Sequence, residues 1–163
     1  MSMPFNSSSP IVFYNKAHFA KAGLAAPADT WQALEAQLRQ VKAAGGPPSI
    51  MSEDYHWSWF ENYSAINDLP CATRNNGFDG LDTEFVYNRT MVVGQVARMK
   101  RWPDDGLLAI AGRGVASAAV FASGRAATLM ASTATHSTVM AAPGRRRWTG
   151  PGRSATLLQS FCR

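Results

Sequence analysis

From residue 31 the apolar positions Trp31, Leu34, Leu38 and Val41 recur at steps of three, four and three. That period lays one apolar stripe along WQALEAQLRQVKAAG and predicts an amphipathic helix. Thr30 stands where an N-cap belongs, and Gly45, Gly46, Pro47 and Pro48 stop the pattern. Ahead of it, the β-branched and aromatic run at 11–14 predicts a buried strand, and AHFAKAGL predicts a short helix closed near Gly23. Further on, SIMS at 49–52 reads as a short strand, and WSWFENYSAIND reads as a helix with Trp57, Phe60 and Ser64 on one face. NNGFDGLD at 75–82 is dense in Asx-Gly steps and predicts an irregular, turn-rich loop. A helix at 90–101 is expected to break at WPDDG, and a second helical pattern covers ASAAVFASG. TLMAS then predicts a buried strand running into THSTVMA, where Ser132 is placed to cap a new helix. Strands alternating with helices predict an α/β fold over residues 1–142, and from Pro143 the period is lost, leaving 143–163 as an irregular basic tail.

The 46% apolar content is enough for the core of one domain, or of one lobe of a larger protein, within 163 residues. No apolar run approaches the length of a membrane span, and MSMPFNSSSP has neither the basic region nor the apolar core of a signal peptide. Cys71 and Cys162 are far apart, and His18, His56 and His136 share no ligand spacing, so no metal, disulfide framework or cofactor is expected. Charge becomes informative once divided along the chain. Residues 1–105 hold nine Lys or Arg and eleven Asp or Glu, a net of −2, whereas 106–163 hold seven Arg and no acid. RRRW at 145–148 can attract phosphates through charge alone, but no helix-turn-helix, RNP or zinc pattern accompanies it, and no nucleic acid is expected as partner. The rival reading, a small basic nucleic-acid-binding protein, predicts salt-dependent retention on DNA that vanishes when 143–163 are removed.

Ser132 and His136 lie four apart, yet there is no GxSxG elbow and no acid after residue 105 to orient the histidine. GxxxxGK[ST] is absent too, so neither a serine hydrolase nor a P-loop ATPase is indicated and the chain is not expected to be an enzyme.

PFNSSSPIVFYNKAHFAKAGL, the TW that follows, ENYSAINDLP and above all NNGFDG resemble periplasmic sn-glycerol-3-phosphate-binding proteins, the solute receptors of an ABC importer. The resemblance covers about residues 3 to 140. It implies a periplasmic-binding-protein fold of the second type, in which hinge closure traps ligand between two lobes. Family members are much longer, so the resemblance implies a partial fold, mostly one lobe plus a hinge-crossing strand. It also implies a small phosphorylated polyol or glycerophosphodiester as ligand, a membrane permease as partner, a monomer, and a periplasmic location. Where relatives continue with a strand and a proline-tyrosine loop, this chain turns Arg-rich, and a shifted reading frame around codons 138 to 146 is one account. A non-functional truncated open reading frame is the other rival.

The resemblance assigns ligand contact to Ser8 and Ser132 and cleft lining to Trp31. A hydroxyl and neighbouring backbone N–H groups suit a phosphate because they donate hydrogen bonds without reorganising a mobile charge. An indole at Trp31 can cover glycerol carbons and would face choline with a cation–π surface. Each has a plainer role as well: turn former for Ser8, N-cap for Ser132, first core residue of its stripe for Trp31. Trp57, Trp59 and Glu61 in YHWSWFEN are further cleft-lining candidates, aromatic rings beside a carboxylate, although such rings are more often core. Because ligand contacts made to both lobes drive closure, one lobe alone is expected to bind far more weakly than the pair.

Overall fold

The computed structural model describes residues 9–52, 56–88, 90–112, 115–141 and 153–156. A five-stranded sheet in the order β3-β2-β4-β1-β5 forms its centre. β1 is Pro10–Asn15, β2 Ser49–Ser52, β3 Leu108–Ala111, β4 Thr128–Ser132 and β5 Arg153–Thr156. β2 runs parallel to both β3 and β4, whereas β1 is antiparallel to β4, with Pro10 opposite Ser132 and Tyr14 opposite Thr128. The helices are α1 (Lys16–Lys21), α2 (Trp31–Ala43), α3 (His56–Ile66), α5 (Thr90–Asp104), α6 (Val115–Ala122) and α7 (His136–Ala141). Between α3 and α5, α4 (Thr73–Gly77) is a single turn wound in the left-handed sense.

Strand side chains alternate between faces, and the two cores follow from that alternation. On one face Val12, Met51 and Met130 pack with Trp31, Leu34 and Leu38 of α2 and with Trp102. On the other, Ile11, Phe13, Ile50, Leu129 and Ala131 meet Ala118 and Phe121 of α6 and Val139 of α7. The result is a three-layer α/β/α arrangement.

α2 forms where the stripe predicts it. Thr30 caps it, its hydroxyl accepting from the Ala33 N–H at 3.2 Å, and Trp31, Leu34, Leu38 and Val41 are its buried residues. Asn15 caps α1 in the same way, its side-chain oxygen accepting from the Ala17 N–H at 3.0 Å. His18 of α1 is bonded at 2.8 Å to the Gly124 carbonyl and ties that helix to the turn after α6.

The structure departs from the sequence pattern at four points. The helix over 90–101 continues through Pro103 to Asp104, because Trp102 is fully buried and anchors the last turn against α2. β3 had no counterpart in the sequence reading, since LAIA is too short to show a period, and its Ile110 is exposed. Ser132 caps a 3-10 turn, Thr133–Thr135, which hands over to α7, rather than capping the helix directly. Within 143–163, expected to be irregular throughout, Arg153–Thr156 pairs with β1 as β5.

Candidate functional site

Parallel strands β3, β2 and β4 end together at Ala111, Ser52 and Ser132, and antiparallel β1 begins beside them at Pro10. In open α/β sheets the carboxyl ends of the strands form the crevice where ligands settle, because helix starts and loops converge there. Here α7 follows β4 across that edge, and α3 and α6 begin soon after β2 and β3 end.

The two loops that meet at this rim are clasped. The Ser9 N–H donates to the Thr133 hydroxyl at 3.1 Å, and the Thr133 N–H donates to the Ser9 carbonyl at 2.9 Å. Ser132 is buried, and its hydroxyl accepts from the Ala134 N–H at 3.2 Å. Among the described residues, Ser9, Pro10, Ala111, Gly112 and 132–135 include no charged residue, so these positions offer hydroxyls and amides. His136, next along the chain, stacks on Phe13 with ring centroids 6.4 Å apart.

Ser8 lies outside the described residues, as do the side chains of Trp57 and Trp59 in α3. Trp31 is 5% exposed and packs against Trp102 at 5.9 Å between ring centroids, so most of its surface is spent on the core. Glu61 is exposed on α3, and its charge is the smallest of the causes that raise the Tyr87 pKa. The Tyr87 hydroxyl is pushed above its ordinary pKa first by its hydrogen bond with Cys71, then by the charge of Cys71, by burial and by Glu61. The sequence offers no sign of the Ser9 and Thr133 clasp by local pattern alone. The hydroxyl-dense STAT after β4 mirrors FNSSS before β1, and an antiparallel pairing of the two strands would have joined them.

Among the described residues, a cluster of charges lies elsewhere, between α2 and α5. Burial alone would raise the Glu35 carboxyl, but hydrogen bonds from Arg39 and Trp102 and the charges of Arg39 and Arg101 outweigh it, leaving the pKa below the usual carboxylate range. Arg98 adds an ion pair at 3.6 Å, and Arg39 bridges Glu35 at 2.9 Å to Asp105 at 2.6 Å. The buried Trp102 N–H makes no hydrogen bond of ordinary geometry, so its interaction with Glu35 is off-ideal in distance or angle. This cluster staples two helices together. Among the described residues no group of His, Cys, Asp and Glu is arranged to hold a metal ion, and no helix is long and apolar enough to cross a membrane.

Residues 1–141 match the model of the bacterial extracellular solute-binding protein family. The chain is 39% identical over 134 residues to the sn-glycerol-3-phosphate-binding periplasmic protein UgpB of Escherichia coli K12, covering 81% of this chain and 31% of that protein. The Salmonella typhimurium UgpB matches with the same figures, so the chain spans about a third of the length of these relatives. UgpB from Mycobacterium tuberculosis, solved in complex with glycerophosphocholine, superposes with a TM-score of 0.62 at 18% identity, covering 92% of this chain and 42% of that one. The ABC substrate-binding protein Lmo0181 from Listeria monocytogenes, in complex with cycloalternan, gives a TM-score of 0.64 at 20% identity over 83% of this chain and 35% of that one.

Proposed function

Because the chain belongs to the bacterial extracellular solute-binding protein family, we propose that it is part of the receptor of an ABC importer for sn-glycerol 3-phosphate or a glycerophosphodiester. The observation that supports this reading is the clasp of Ser9 to Thr133 beside Ser132, which brings Ser9 and Ser132 to one rim. Ser8, next to Ser9, and Ser132 are proposed to donate hydroxyl hydrogen bonds to the ligand phosphate or glycerol, and Trp31 to support the floor beneath. Trp57, Trp59 and Glu61 remain proposed cleft-lining residues. The identity to UgpB supports the phosphorylated ligand over a sugar, since the sugar-binding neighbours are like this chain in fold alone.

Binding on this reading is recognition without a chemical step, and among the described residues of the rim no cation meets the ligand's charge. The permease of the importer is the proposed membrane partner, the periplasm the proposed location, and a monomer the proposed state. Titration of the isotope-labelled chain with glycerol 3-phosphate, followed by amide NMR, tests the reading. Saturable millimolar shifts centred on Ser132, Thr133 and Ala134, reproduced by glycerophosphocholine and absent with maltose, are expected. Absence of any shift at those amides with either phosphorylated ligand in the tens of millimolar would overturn it.

A further inference from the structure

The chain has one Asn-Gly step, Asn76–Gly77, at the tip of the loop between α3 and α5. In unstructured peptides such a step is chemically labile, because glycine puts no side chain in the way of its own nitrogen as that nitrogen attacks the asparagine amide carbon. Both residues are exposed, so water reaches them. The loop nonetheless holds Asn76 still. Its side-chain oxygen accepts from the Cys71 N–H at 2.8 Å and from the Ala72 N–H at 3.0 Å.

Around this pin the loop is closed by several ties. The Thr73 N–H donates to the Glu84 carbonyl at 2.9 Å, the Glu84 N–H to the Thr73 hydroxyl at 3.0 Å, and the Val86 N–H to the Cys71 carbonyl at 2.9 Å. Arg74 is ion-paired with Asp82 across the turn. Arg74, Asn75, Asn76 and Gly77 have φ of 54°, 51°, 56° and 90°, four consecutive residues in the left-handed region. Such a run is costly for residues other than glycine, and it forms here only because the ties around it impose it.

We propose that Asn76 is a fold-protected deamidation site whose isoaspartate product can no longer close the loop. In the closed loop the two bonds to its side-chain oxygen keep the amide carbon from swinging over the Gly77 nitrogen. When the loop opens, the Gly77 nitrogen gives its proton to hydroxide or water and bonds to the Asn76 side-chain carbonyl carbon. That carbon's bond to nitrogen breaks and ammonia leaves, which forms a five-membered succinimide. Water then opens the ring at either carbonyl and gives aspartate or isoaspartate. No oxidant or reductant takes part. Aspartate keeps an oxygen for the Cys71 and Ala72 donors. Isoaspartate adds a methylene to the main chain inside the left-handed run, and the ties on either side can no longer be made together.

The test is to incubate the full chain in mildly alkaline buffer, with and without urea, and to follow the amide-to-acid mass gain and isoaspartate by peptide mass spectrometry. If two net hydrogen bonds hold the site closed, the folded chain deamidates about tenfold or more slowly than the unfolded one. Asn76→Asp removes the mass gain and fixes the site, and Asp82→Asn, which breaks the ion pair with Arg74, speeds the reaction in the absence of urea. Equal rates with and without urea, or ammonia loss mapped to another asparagine, would overturn the proposal.

Discussion

Two polar residues sit where the sequence pattern alone would place apolar ones. Ser49 and Thr128 are both wholly buried on neighbouring strands, and the Thr128 hydroxyl donates to the Ser49 hydroxyl at 2.7 Å. Valine matches threonine in shape, so Thr128→Val should leave the packing intact and strip Ser49 of its partner, costing about 1–3 kcal/mol. Adding Ser49→Ala removes the orphaned hydroxyl and should recover most of that loss; urea unfolding of the single and double variants measures both. Glu35 makes a second residue-scale case. Its carboxyl is held below the ordinary value of about 4.3 in the folded chain, so its stabilising contribution is full above that pH and fades as pH falls through the folded value. Glu35→Gln should therefore destabilise at neutral pH, by an amount between the ~0.5 kcal/mol of a surface pair and the ~3 kcal/mol of a buried one. The gap to wild type should narrow in acid, and urea midpoints measured across pH 7 to about 3 would show it. A gap that stays constant with pH would mean that the side chain acts by packing alone.

Elements differ in how openly the sequence declares them. α2 was legible from its first residue and to within two of its last, because one stripe, one cap and one stop agree with one another. β3 was hidden: four residues cannot establish a period, and Ile110 stays exposed where an apolar residue would be expected to count as core. The end of α5 was misread because proline disfavours a helix locally, whereas the burial of Trp102 against Trp31 decides the matter through contacts distant in sequence. At the rim, Ser132 was visible because a strand, a serine and a helical pattern follow in order, but the Ser9 and Thr133 clasp joins residues 124 apart. The link from α2 into β2 depends on Gly46, where an added Cβ would lie 2.5 Å from a Val41 side-chain carbon and 2.8 Å from the Val41 carbonyl oxygen. Val41 is a core residue with no room to withdraw. Gly46→Ala should thus cost roughly 1–3 kcal/mol, as overpacking does, and lower the thermal midpoint while leaving the rim's amide spectrum unchanged.

At the scale of the whole molecule, the charge of the proposed ligand is the deciding quantity. The described rim has hydroxyls and amides but no cation, and a phosphate bound only by neutral donors in water gains little net free energy over its hydration. The isolated chain is accordingly expected to stay well short of micromolar affinity for glycerol 3-phosphate, and calorimetry giving a micromolar constant would refute that. The positive counterpart is a graft. Replacing the matched stretch of Escherichia coli UgpB, 134 aligned residues, with that of this chain supplies the rim with whatever the rest of the receptor contributes. If Ser132 donates to ligand, the chimera should bind glycerol 3-phosphate, and Ser132→Ala within it should weaken binding about tenfold or more, the worth of one hydrogen bond to a charged group. Ser132 also caps the turn before α7, so the same variant must be compared by urea unfolding. Lost affinity with unchanged stability assigns the hydroxyl to the ligand, whereas equal affinity in the two chimeras reduces Ser132 to a cap.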